Sequence, residues 1–211
     1  MGWILRTFTT RDPQILKHLF KSLVIPNIDY CSQLYMPVQP KGIEKIEKLQ
    51  MDYLKKIPYL RKMNYWEILS NMKMLSLQRR QERYRVIYVW KVLEGLVPNC
   101  GINVIPNSEN TRLGRRFPIS SASSKLRTQT FQDHGPKLFN SLPAKLRNLT
   151  RCPLDQFKME LDTYLSTVPD EPKLDGLVPS AQGRNSCYSN SLIDQARRSQ
   201  MSGHRMTNHG V

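Results

Sequence analysis

Acidic residues are scarce in this 211-residue chain, with 17 aspartates and glutamates against 32 lysines and arginines. No two aspartates are adjacent, and Asp29, Asp52 and Asp133 each stand singly. A polymerising or hydrolysing site that holds two metal ions about 3.5–4 Å apart needs clustered carboxylates. That chemistry is therefore not expected here, and the isolated acids read as helix ion-pair partners. Cysteine is sparse as well. Cys31, Cys100, Cys152 and Cys187 lie far apart with no C-x-x-C pair, so His134, His204 and His209 have no cysteine pair to complete a site. The spacing excludes a zinc site of the usual kind and points to reduced thiols in a cytoplasmic or nuclear protein.

Other absences narrow the field further. The chain has no G-x-x-x-x-G-K-[ST], no G-x-G-x-x-G and no G-x-S-x-G, so neither a phosphate-cradling loop nor a nucleophile elbow is expected. No cofactor and no small-molecule substrate follows from these residues. No stretch approaches about 18 uninterrupted apolar residues, the minimum for a membrane-spanning helix. The start, "MGWILRTFTTRDP", lacks an apolar h-region and a small-residue cleavage site, so secretion is not expected. Arg6 occupies the position at which a myristoylation signal requires Ser or Thr.

What the chain does have is positive charge. The formal net charge is +15, and residues 169–211 hold five basic against four acidic residues, which leaves +14 in residues 1–168. Such an excess is more than solubility requires and points to a polyanionic partner.

Hydrophobic periodicity predicts a mainly α protein. Asp12 and Pro13 open a helix that buries Ile15, Leu16, Leu19, Phe20 and Leu23 and carries His18 on its apolar side. A short helix or turn follows in "PNIDYCSQLYMP". Ile43, Ile46, Leu49, Tyr53, Leu54 and Ile57 mark a second amphipathic helix over 41–57, with lysines and glutamates on its other side. Asn64 with Glu67 resembles a capping box for a helix through Met72, and Ser76 caps a longer one that stops at Gly95. Residues 99–129 are polar, Ser-rich and broken by Gly and Pro, with one short strand expected near 116–119. Pro153 opens a helix bearing Leu154, Phe157, Leu161, Tyr164 and Leu165. The expected organisation is a helical domain over 1–98, a polar connection over 99–129, a small helical unit over 130–168 and a disordered tail over 169–211.

The stretch "LQRRQERYRVIYVWK", residues 77–91, packs five basic residues, two tyrosines and a tryptophan into one helix. At about 100° per residue, Arg79, Arg83, Val86 and Trp90 share one stripe, flanked by Arg80 and Ile87, while Leu77, Tyr84 and Tyr88 form another. One reading packs Leu77, Tyr84 and Tyr88 inward. It leaves Arg79, Arg80 and Arg83 free for phosphates and Trp90 for stacking. The other makes Trp90 core and the arginines solvated.

The blocks "GWILRTFTTRDPQILKHLFKSLVIPNIDYCSQLYMP", "IEKIEKLQ", "YWEILSNMKMLSLQRRQERYRVIYVWKVLEGLVPN", "FQDHGPKLFNSLPAKLRN" and "LDQFKMELDTYLSTVPDEP" occur in that order over residues 2–172. Together they resemble the C-terminal part of the reverse transcriptase of a non-LTR retrotransposon, of the jockey and chicken-repeat-1 kind of LINE element. The resemblance implies a helical, thumb-like bundle that grips template and primer by their backbones, with RNA, DNA or an RNA/DNA duplex as partner. It also implies that the palm, its Asp-Asp motif and its magnesium lie upstream, and that a surface here could dock that palm. On this reading the chain is a fragment, from a truncated or degenerate copy of the element, of an RNA-directed DNA polymerase, and no enzyme by itself. An inert remnant or a helical interaction module is the alternative expectation.

Overall fold

The computed structural model describes residues 2–32, 37, 40–99, 101–102, 117, 130–168, 170 and 174. The protein is mainly α, and the described residues contain no strand. Helix α1 runs over Gly2–Thr7 and α2 over Pro13–Leu23. The Asp12 carboxylate accepts hydrogen bonds from the Gln14 and Ile15 amides at 2.8 and 2.9 Å, the N-cap that the Asp-Pro pair predicts. Leu16 and Phe20 are buried on this helix, but His18 is exposed rather than packed. It lies about 200° around the axis from each of them.

Helices α3 (Ile25–Asp29) and α4 (Pro40–Leu54) follow, then a single 3-10 turn at Pro58–Leu60 and α5 (Tyr65–Asn71). The Glu67 carboxylate accepts from the Asn64 amide at 3.3 Å, closing the start of α5. Helix α6 spans Leu77–Leu93, and Ser76 caps it as expected, its hydroxyl accepting from the Arg79 amide at 3.0 Å. Gly95 ends it at φ +70°, where a side chain would be strained, and the Leu96 amide returns to the Lys91 carbonyl at 2.9 Å. Helices α7 (Phe131–Asn140), α8 (Ala144–Arg147) and α9 (Leu154–Thr167) complete the described part.

The chain forms two compact units, residues 1–81 with 170–184, and residues 82–169 with 185–211. The division falls inside α6, between Gln81 and Glu82, whereas the sequence places a boundary at residue 98. A continuous helix gives the sequence no break to show. Leu77, in the first turn, belongs to the core of the first unit; Val86, Val89 and Trp90 belong to that of the second.

In the first unit Ile4, Leu16, Phe20, Leu54, Ile57, Tyr65 and Ile68 are fully buried. Phe20 stacks on Tyr53 at 4.7 Å between ring centroids, and the Tyr53 hydroxyl donates to the Leu16 carbonyl at 3.0 Å. Leu174 is buried in the same core and Asp170 is hydrogen-bonded there, a departure from the disordered tail expected from residue 169 onward. The rest of that tail lies outside the described residues, apart from what the unit division states.

In the second unit Trp90 stacks on Phe157 at 4.6 Å with only 11° between the planes, and its indole N–H donates to the Leu149 carbonyl at 2.9 Å. Ile102 and Phe117, from the polar connection, are buried in this core, and the Asn140 amide bonds both the N–H and the carbonyl of Phe117, at 2.8 and 2.9 Å. Most of 99–129, including the expected strand apart from Phe117, lies outside the described residues.

Trp90 should therefore behave as core. Trp90→Ala is expected to destabilise the second unit by about 3–5 kcal/mol, and Trp90→Phe, which orphans the Leu149 carbonyl, by about 1–3 kcal/mol. Urea unfolding followed by circular dichroism measures both, and unchanged midpoints would contradict the packing described.

Candidate nucleic-acid interface

Helix α6 carries the four residues that the sequence singles out, and none of its residues is exposed. Its N-terminus explains part of this. The first amides of a helix have no intrahelical acceptors, and where they are buried, side chains must supply them. The Asp170 carboxylate accepts from the Ser76 amide at 2.7 Å and from the Ser76 hydroxyl at 2.6 Å, and Glu47 accepts from the Gln78 amide at 2.6 Å. Arg79 is 1% exposed, with its Nε 3.8 Å from Asp170. It lies inside the first unit, not on its surface.

Arg80 and Arg83 are partly buried, and each grips an aspartate. Arg80 reaches the Asp29 carboxylate at 2.7 and 2.9 Å, and Arg83 reaches Asp162 at 2.8 Å through Nη2 with Nε on the other oxygen. These are two-pronged guanidinium–carboxylate pairs, a geometry that lysine cannot reproduce. The Arg83–Asp162 pair holds the arginine above its ordinary range. Trp90 is 1% exposed. Of the other proposed stripe, Leu77 is buried while Tyr84 and Tyr88 are only half-buried. The stripe through Arg79, Val86 and Trp90 is thus the deeply buried one, and Tyr88 meets Phe131 edge-on at 5.2 Å.

Of the acids read as ion-pair partners, Asp29 pairs across 51 residues with Arg80 and Asp133 lies 3.5 Å from Lys137 one turn along α7, whereas Asp52 is exposed on α4 and forms no ion pair among the described residues. The described residues contain no group of three or more His, Cys, Asp or Glu able to hold a metal ion, and no helix among them is long and apolar enough to cross a membrane.

The unpaired positive charge is elsewhere. On α4, Lys41, Lys45 and Lys48 are exposed and fall at i, i+4 and i+7, within an arc of about 60°. The buried residues of the same helix, Glu47, Gln50, Tyr53 and Leu54, lie on the opposite side. Lys56, Arg61 and Lys62, just beyond the helix, are exposed too. Among the described residues none of these six forms an ion pair. A second concentration occurs on α2, where partial burial and then the charges of Lys17 and Arg80 lower the Lys21 pKa. The spacing of the α4 lysines is written in the sequence, but the tyrosines and arginines of α6 outweigh it in a reading that ranks aromatic and guanidinium groups first.

Two titratable groups, the buried Glu47 and the half-buried His134, give the units opposite responses to pH. Burial raises Glu47 from 4.5 to about 8, against the hydrogen bonds from Gln78 and Tyr65 that favour its charge. Between those values the unfolded chain has lost a proton that the folded chain keeps, so the first unit loses stability as pH rises from about 4.5 to about 8. Burial, then the charges of Arg85 and Lys137, lower His134 from 6.5 to about 4, and its Nδ1 lies 3.2 Å from an Arg85 nitrogen that can only donate. Below 6.5 the unfolded chain gains a proton that the folded chain refuses, so the second unit loses stability as pH falls towards about 4.

Hydrogen exchange read by mass spectrometry separates the two effects. Glu47→Gln is expected to flatten the alkaline slope in α4 and α5 peptides only, and His134→Gln the acidic slope in α7 peptides only. Arg80→Gln, which strands Asp29, is expected to cost about 1–3 kcal/mol of stability. A stability unaffected by Arg80→Gln would mean that the pair contributes nothing.

Compared with models of protein families, with curated proteins and with solved structures, the chain matches none.

Proposed function

We propose that this chain is a thumb-derived part of the reverse transcriptase of a non-LTR retrotransposon, a nucleic-acid-binding fragment without polymerase activity of its own. The order of the five sequence blocks over residues 2–172 supports the family. The observation that carries the binding role is the exposed face of α4 bearing Lys41, Lys45 and Lys48, opposite the helix's buried side; it also carries the exposed Asp52, and none of the three lysines forms an ion pair among the described residues. Lysine ammonium groups in such a row meet a phosphate backbone as point charges and read no bases. Arg79, Arg80, Arg83 and Trp90 serve the fold instead of the ligand. Magnesium belongs to a palm whose carboxylates this chain lacks.

Binding should be sequence-tolerant and steeply salt-dependent, because each neutralised phosphate releases condensed counterions. For an RNA/DNA heteroduplex contacted by about four to six basic groups, the log–log slope of affinity against salt is expected near −4 to −5. Lys41→Gln, Lys45→Gln and Lys48→Gln together should reduce its magnitude by about 2–3. Absence of binding to the heteroduplex at about 50 mM salt would overturn the reading.

A second reading, a helical module that binds protein, draws on α2. Ile15 and Leu23 are 49% and 37% exposed there, with Leu19 half-buried between them on the same row. Concentration-dependent self-association abolished by Ile15→Glu, without any affinity for nucleic acid, would favour it.

A further inference from the structure

The segment "KKIPYLRK", residues 55–62, encloses a tyrosine with four basic residues and contains no acid. Its backbone is held from below. Ile57 and Leu60 are 0% and 2% exposed, Pro58 opens the 3-10 turn, and the Leu60 amide donates to the Ile57 carbonyl at 3.0 Å. Fixing Ile57 and Leu60 in the core turns the intervening Tyr59 outward, where it is 80% exposed. Among the described residues its ring has no aromatic or cationic partner. Lys56, Arg61 and Lys62, within three residues of it in sequence and just beyond the lysine-bearing helix α4, are exposed as well.

A single exposed apolar side chain is ordinary on a protein surface. Tyr59 differs because three features coincide: a turn anchored on both sides, a ring without an aromatic or cationic partner among the described residues, and exposed basic neighbours in sequence that form no ion pair among them. We propose that Tyr59 is a stacking platform for an unpaired base of single-stranded nucleic acid, with Lys56, Arg61 and Lys62 on the flanking phosphates. The proposal rests on the reading above that the basic surface of the first unit meets nucleic-acid backbones. In a duplex the base faces are already stacked on one another, so an outward ring finds a partner only where a strand is unpaired. An anionic membrane is the other surface that attracts tyrosine among lysines. Membrane binding needs an apolar face to insert, however, and the apolar side chains of this turn, Ile57 and Leu60, are already in the core.

Fluorescence anisotropy with the full chain tests this, using labelled oligouridylate and oligothymidylate, a blunt RNA/DNA hairpin and vesicles containing phosphatidylserine. Tyr59→Ala is expected to weaken single-strand binding about tenfold while leaving hairpin binding within about twofold. Tyr59→Phe and Tyr59→Trp should retain the single-strand affinity, and an iodouridine oligomer should cross-link at Tyr59. Lys56→Gln with Arg61→Gln and Lys62→Gln should weaken both ligands and lower the salt slope. Circular dichroism on Tyr59→Ala checks that the turn still folds, as the exposure of the ring leads one to expect. If Tyr59→Ala binds single strands as well as the native chain, the platform is refuted while the heteroduplex reading stands. Binding of vesicles but not of oligonucleotides overturns both, and a native chain that binds no nucleic acid overturns the broader reading first.

Discussion

Two carboxylates meet the first turn of α6, and the first unit depends on how they share it. A buried helix start presents several N–H groups and about half a positive charge with no water to receive them. Asp170 takes the Ser76 amide and hydroxyl, and Glu47 takes the Gln78 amide. Burial, with a smaller contribution from Asp170, holds the Glu47 proton to about pH 8. Asp170, partly exposed, takes the ion pair with Arg79. The arrangement also fixes residue 170 against α6, although Pro, Ser, Asn and Gln dominate the sequence that follows it.

This turn shows where the sequence was legible. Asp12 before α2, Ser76 before α6 and Gly95 after it each act through bonds that span a few residues, so the local pattern is sufficient to place them. The mainly α fold follows from such signals, as do several helix limits, although α4 ends at Leu54 rather than at Ile57. The roles of the α6 arginines do not, because their partners are distant: Asp29 for Arg80 lies 51 residues away, Asp162 for Arg83 lies 79, and His134 for Arg85 lies 49. A helix that buries arginine, glutamine and glutamate around its circumference carries no clean apolar stripe, and periodicity then reads its charged residues as solvent-facing. For the same reason Tyr84 and Tyr88, which look like core, are less buried than Arg79.

The sorting of positive charge follows from side-chain chemistry. Guanidinium is planar, weakly hydrated and able to grip a carboxylate with two bonds, so it tolerates burial beside an aspartate; ammonium is strongly hydrated and stays in water. Arg79, Arg80, Arg83 and Arg85 are accordingly drawn inward or paired, while Lys41, Lys45, Lys48, Lys56 and Lys62 remain outside without carboxylates. Asp29, Asp162 and Asp170 are committed to arginines, while Asp133, Asp155 and Glu160 pair with lysines of the second unit. On the surface of the first unit the exposed lysines outnumber the exposed acids Asp12, Asp52 and Glu67, and Asp52 shares the lysine arc of α4.

That lysine excess determines the kind of recognition available. A row of ammonium groups offers long-range attraction and no directional fork, so it favours any phosphate backbone over any particular sequence and weakens quickly with salt. Selectivity must then come from a group that distinguishes forms of nucleic acid by something other than charge. In the proposed reading that group is the exposed Tyr59, since a ring face discriminates an unpaired base from a stacked one while remaining indifferent to which base it is. The α6 guanidinium groups are committed inward by their aspartates, so the outward basic surface of the first unit is left to lysines and Arg61.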